Sequence, residues 1–222
     1  MGCSSSLLEN IDVTEIITDE KITVFGSEYV NSKSMILFLK SHFWGGVYSG
    51  NSFEVVDVNN HGSIMFHVTK SSASNQEINI LNRDGDLVFY LNNHSFLMDG
   101  SKKIFAKNEN ELLRISSNFT KTKQRSSLLV NSSGESFICR GTLNMLRLQG
   151  SLWYEDEDEY GESICFAKIC SPEEAKRKVP HGTLLNESKK SYYVEISPGA
   201  DAALVLAFIL VAELSTHLNK TM

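Results

Sequence analysis

Apolar and polar residues alternate in short runs along most of this chain, and one stretch near its C-terminus breaks the pattern. From Ala202 to Ala212 every residue is apolar, with Asp201 and Glu213 at the two edges. The stretch is Ala- and Leu-rich, which suits a helix. Ser197 can cap the free amides of a first turn, Pro198 fits the first helical position, and Asp201 favours the positive end of the helix dipole. His217 and Lys220 lie toward the negative end. Leu204, Val205, Leu206, Phe208, Ile209, Leu210 and Val211 leave such a helix no polar face. It must therefore be sheathed by protein or sit in a membrane. Length separates the two, because a span needs roughly 20 apolar residues and this run stops at a carboxylate on each side. The pattern predicts a buried central helix near residues 199–216.

Upstream, strand-like runs are punctuated by Asx/Gly turns. Ser34–Lys40 reads as a strand. Phe53–Val58 and Ser63–Val68 flank Asn59-Asn-His-Gly62, and Glu77–Leu81 and Asp86–Leu91 flank Asn82-Arg-Asp-Gly85. Ser127–Asn131 and Glu135–Cys139 form a third pair around Ser132-Ser-Gly134, Gly150–Tyr154 and Glu162–Ile169 a fourth, and Ser191–Ser197 a last strand running into the helix. Period-2 alternation around such turns is the mark of antiparallel hairpins. A meander this dense removes its edges by closing into a barrel, and the apolar helix supplies the plug that a wide lumen needs. Residues 1–20 read as a flexible arm and 21–218 as one domain.

Composition narrows the function. The chain has 222 residues and a net charge of −6, which argues against the broad basic footprint of a nucleic-acid-binding protein. Cys3, Cys139, Cys165 and Cys170 form no C-x-x-C pair and have no histidine at metal-ligand spacing. No phosphate loop, nucleophile elbow, zinc helix or dinucleotide fingerprint is present, so the expectation is a non-enzymatic protein without cofactor. The acidic run Glu155–Glu159 departs from the calcium-loop pattern at Tyr160 and Ala167; it reads as a solvated hairpin loop.

The N-terminus carries an acylation motif, whereas the sequons at Asn93, Asn118, Asn131 and Asn186 read as chance matches in a cytosolic protein. Met-Gly-Cys-Ser-Ser-Ser fits N-myristoylation at Gly2, with Cys3 placed for a palmitoyl chain. One myristoyl chain binds membranes only marginally and needs a second signal. The following residues, Glu9, Asp12, Glu15, Asp19 and Glu20, are acidic, so Cys3 has to carry that second role. Basic clusters at Lys102-Lys103-Lys107, Lys121-Lys123-Arg125 and Lys176-Arg177-Lys178 are candidates for anionic headgroups, with Lys121, Lys123 and Arg125 put forward as contacts.

Tyr192-Tyr-Val-Glu-Ile-Ser-Pro-Gly-Ala-Asp-Ala-Ala-Leu-Val-Leu-Ala resembles the closing strand and helix of the LURP-one-related proteins, whose signature is a strand, Pro-Gly-x-Asp and a small, apolar helix. The hairpins at 53–62 and 80–85, the Gly150-Ser-Leu-Trp-Tyr154 strand and the Phe25-Gly-Ser-Glu-Tyr-Val30 lead-in are similar to that family as well. The resemblance implies the tubby C-terminal-like fold, a closed antiparallel barrel of about 12 strands around a central hydrophobic helix. By analogy with the wider superfamily it implies a membrane-associated, lipid-responsive or protein-interaction module, with membrane lipids such as phosphoinositides as partners; acylation at Gly2 and Cys3 places it, as an expectation, in the cytoplasm on the inner face of a membrane. Two alternatives are scramblase-like lipid transport, with the helix in the bilayer, and a tethered regulator released to the nucleus.

Overall fold

The computed structural model describes residues 13, 23–40, 47, 51–71, 77–92, 101–108, 110–120, 123–132, 135–144, 149–155, 163–179 and 191–221. Twelve strands take up most of them: β1 (Met35–Lys40), β2 (Phe53–Asp57), β3 (Ser63–Lys70), β4 (Glu77–Asn82), β5 (Leu87–Asn92), β6 (Ser101–Phe105), β7 (Glu111–Thr120), β8 (Lys123–Ser132), β9 (Glu135–Asn144), β10 (Gln149–Glu155), β11 (Ile164–Cys170) and β12 (Ser191–Ile196). Consecutive strands pair antiparallel all the way round. The pairing of β1 with β12, in register from Met35–Ile196 to Lys40–Ser191, closes the barrel. Among the described residues there are two α-helices, α1 (Pro172–Lys178) and α2 (Ala202–Thr221).

Alternation along the strands explains what faces inward. Val55, Phe66, Val68, Ile78, Ile80, Phe89, Leu91, Ile104, Leu113 and Ile115 alternate with more exposed neighbours and join α2 in one buried cluster. The turn between β2 and β3 uses two left-handed residues, His61 at φ 54° and Gly62 at φ 72°, the backbone that matches strand twist in a tight hairpin. All four predicted hairpins are present. The sequence pattern does not mark β6 and β7, and for β6 Lys102 explains why. It faces the lumen, is fully buried and pairs in register with Ile115, so the inward row of β6 carries a charge where alternation calls for an apolar residue. Its place in a surface cluster with Lys103 and Lys107 is thereby corrected.

Helix α2 runs inside the ring. Every residue from Ala202 to Leu214 is at most 1% exposed. At 1.5 Å per residue that stretch is about 18 Å long, which matches the roughly 20 Å of a six-residue strand and falls well short of a hydrocarbon core of about 30 Å. No helix among the described residues is long and apolar enough to cross a membrane. Ala203, Ala207 and Ala212 are fully buried as well, and their small side chains let strands pack close to the helix backbone.

The helix starts later than the sequence pattern predicts. Ser197 continues the strand geometry, its amide donating to the Phe166 carbonyl at 2.9 Å. Pro198 and Gly199 make a turn with Gly199 at φ 84°, and α2 begins only at Ala202. Ser197 is therefore not the cap. Asp201 is, for its Oδ1 accepts from the amides of Ala203 at 2.9 Å and Leu204 at 3.2 Å. The capping signal was displaced by four residues because Pro198 reads equally well as a helix start and as a turn.

Candidate functional site

The Pro-Gly-x-Asp signature builds a joint between three parts of the chain. Oδ1 of Asp201 caps α2, while Oδ2 accepts from the amides of Val24 at 2.9 Å and Phe25 at 2.8 Å. Residues 23–31 are thus held as a strap across the end of the barrel where the helix begins, the proximal end. Val30 forms a β-bridge with Asp201, and the Gly199 amide donates to the Asn31 carbonyl at 2.8 Å. The strap is packed down by Phe25 against Phe89 and Tyr29 against Phe66, with ring centroids 4.7 and 5.6 Å apart.

Asp201 is fully buried, and burial raises its carboxyl pKa above the usual 3.8, against the pull of the four amide hydrogen bonds. A raised folded-state value means that the stability tied to its protonation is present below 3.8 and is lost as pH rises through the folded value. Acid therefore does not weaken this joint. The arrangement satisfies four amides and offers no open position for a substrate; its role is mechanical.

A second layer covers the outside of β11, β12 and β1. The α1 helix starts with a capping box, in which the Ser171 hydroxyl accepts from the Glu174 amide and Glu174 accepts from the Ser171 amide. Lys168 Nζ lies 3.1 Å from Glu174 Oε1, and Lys178 Nζ lies 2.9 and 2.7 Å from the two oxygens of Glu195. Burial pushes the Glu174 carboxyl up, but the Ser171 amide and the Lys168 ammonium outweigh it and hold its pKa below the usual value. Beneath the helix Ile36, Val58, Cys170, Ala175 and Tyr193 form a small apolar cluster of their own. This explains why β11 and β12 are buried on both faces, as their near-continuous apolar sequences suggest. Burial pushes the thiol of Cys165 up to about 11 and that of Cys170 to about 12, so neither is a nucleophile at neutral pH.

Two further features lie outside these joints. An open groove of about 450 Å³ runs beside the strap, between Val24 and Phe25 on one side and Val88, Leu112 and the Ala106–Asn108 turn on the other. In the lumen, burial lowers the Lys102 pKa to about 8 from 10.5. The unfolded chain holds a proton there that the folded protein sheds between those values, so stability rises with pH across that window and its cost is fully present below about 8. Chemical denaturation from pH 8 to 10 is expected to show this rise in the wild type and a flatter profile for Lys102→Met. Parallel profiles would mean that Lys102 is not desolvated.

The residues singled out from sequence fall in different places. Leu204, Val205, Leu206, Phe208, Ile209, Leu210 and Val211 are all in the core, as the buried-helix reading requires. Lys123 and Arg125 lie on β8, paired in register with Thr120 and Asn118 of β7. Gly2, Cys3, Lys121 and positions 156–159 of the acidic run lie outside the described residues. Sequence reasoning missed the two-sided role of Asp201, since the partner amides are about 176 residues away and no local signal points to them.

Comparison with known proteins agrees with this architecture. A search of curated proteins gave no match. Among solved structures, the X-ray structure of a protein from Arabidopsis thaliana is similar over 89% of this chain and 98% of its own, with a TM-score of 0.57 and 12% identity. At that identity the likeness is one of fold. The LURP-one-related family profile matches residues 35–213, from the first strand through the buried helix to Glu213, and the chain belongs to that family.

Proposed function

We propose that this LURP-one-related protein is a non-enzymatic module tethered to the inner face of a membrane by acyl chains on Gly2 and Cys3, with a barrel of the tubby C-terminal-like type that meets lipid or protein partners on its outer surface. The observation that carries the reading is the Gly2-Cys3 start. It stands at the one position where N-myristoylation acts, with a thiol beside it for the second chain that stable anchoring needs. The barrel supports the division of labour. Its interior is occupied by its own helix, so binding falls to the surface, and a helix packed inside twelve strands is poorly placed to serve as the anchor. The same burial weighs against the scramblase-like alternative, in which α2 would have to leave the core for lipid. Anionic headgroups, phosphoinositides among them, are the proposed partners, with Lys121, Lys123 and Arg125 as contacts worth about 1 kcal/mol each near such a surface.

Fractionation of cells expressing the full chain tests the tether. The wild type is expected in the membrane fraction, Gly2→Ala in the soluble fraction, and Cys3→Ser in between, because a lone myristoyl chain holds only weakly. A Gly2→Ala protein that stays on membranes to the wild-type extent would remove the acyl anchor.

A further inference from the structure

The outer wall under α1 is more apolar than the helix that covers it. Ile36 on β1, Val58 just past β2, Cys170 on β11 and Tyr193 on β12 are at most 7% exposed there. The helix itself brings one fully buried side chain, Ala175, with Val179 at its C-cap only half-buried. Seven residues are too few to hold a helix in water, since isolated helices shorter than about 12–15 residues are marginal. The barrel closes without it. β12 pairs with β1 from Met35–Ile196 to Lys40–Ser191 and with β11 from Ala167–Ile196 to Cys170–Tyr193, and α1 lies outside both ladders.

Two ion pairs fasten the helix down. The side chains of Lys168 and Glu195 are 8% and 7% exposed, and each is met by a residue of α1, Glu174 at 3.1 Å and Lys178 at 2.7 Å. A buried ion pair gives little net stability, because desolvation cancels most of the attraction, but stranding one member is costly. Lifting α1 strands neither. Lys168 and Glu195 stand directly opposite each other in the β11–β12 register, where opposite charges attract, so they become each other's partners while Glu174 and Lys178 return to water.

We propose that α1 is a lid that lifts from the outer wall as one unit while the barrel stays closed, with Lys168 and Glu195 exchanging their α1 partners for one another. Closed, it hides the wall of Ile36, Val58 and Tyr193. Open, it turns this part of the barrel surface apolar. The lid does not depend on acylation of Gly2 or Cys3.

Iodoacetamide labelling of the full-length protein, read cysteine by cysteine by mass spectrometry, tests it. Cys170 lies under α1, 1% exposed, and burial pushes its thiol to about 12, so it reacts when α1 is away. Cys139 is fully buried in the main core cluster and reports opening of the barrel. With each rate divided by that of the same cysteine in the denatured protein, Cys170 is expected to react at least about 10-fold faster than Cys139, because local opening costs less than global unfolding. Glu174→Gln and Lys178→Gln weaken only the closed state, and each should speed Cys170 severalfold while Cys139 keeps its wild-type rate. Lys168→Met removes a partner from both states and should speed Cys170 less than Glu174→Gln does. Equal normalised rates for the two cysteines in the wild type overturn the lid, as do Glu174 and Lys178 variants in which Cys170 gains nothing over Cys139. An increase in Lys168→Met as large as that in Glu174→Gln, or larger, overturns the exchange of partners.

Discussion

Asp201→Ala is expected to lower stability by about 3–4 kcal/mol. Four amides lose their acceptor together: Val24 and Phe25 in the strap, Ala203 and Leu204 in the first turn of the buried helix. A buried donor left unsatisfied costs on the order of 1–3 kcal/mol, and relief from burying the carboxylate charge offsets part of the sum. At 2–4 °C per kcal/mol for a domain of this size the melting temperature should fall by about 10 °C. Asp201→Asn separates shape from acceptor count. It can keep the bonds to Ala203 and Leu204, but its amide nitrogen then faces the two strap amides, donor against donor. Thermal melts of the three proteins should rank wild type first, with both variants well below. A Asp201→Ala melt within about 2 °C of wild type would show that the strap and the cap hold without this carboxylate.

The second large effect lies along the helix itself. Phe208 and Leu206 are fully buried in the lumen, and truncation at such sites costs about 3–5 kcal/mol for Phe→Ala and 2–5 for Leu→Ala, according to how far the cavity collapses. Leu206→Met, which conserves volume, should cost under about 1.5 kcal/mol. Enlarging Ala207, fully buried where strands approach the backbone, should cost about 1–3 kcal/mol through strain. The pattern matters more than any one value. A lumen helix penalises both truncation and enlargement, whereas a helix lying on a lipid surface would tolerate Ala207→Leu without loss. Denaturant titrations of the four variants distinguish the two.

Much of this architecture is legible in the sequence, for identifiable reasons. The helix announces itself because a segment apolar on all sides has few places to go, and its length excludes the longer of them. The hairpins are visible because Asx/Gly turns are local chemistry and alternation has a fixed period. The Pro-Gly-x-Asp segment carries the family resemblance, and the profile match over residues 35–213 agrees with it. What escaped has one origin, the dependence on partners distant along the chain. Lys102 points into the lumen because β6 is held between β5 and β7, whatever its own polarity. Asp201 serves amides in a strap at the other terminus, so its local neighbours show only half its role. The α1 cover depends on distant partners as well, because its contacts with Lys168 and Glu195 require β11 and β12 to be paired first. The candidate membrane contacts are legible only as motifs, because acylation and headgroup binding leave no trace in the packing of the barrel.

The C-terminal helix belongs to the barrel, and the membrane attachment proposed here is assigned to the other terminus. Hydrogen exchange at amides 202–214 of the acylated full-length protein, with and without vesicles of phosphatidylcholine and phosphatidylserine, tests this most directly. These amides are expected to be among the slowest in the protein without lipid or detergent, and to remain so when the vesicles are bound. Loss of their protection on vesicle binding, or protection that appears only once lipid is present, would contradict it.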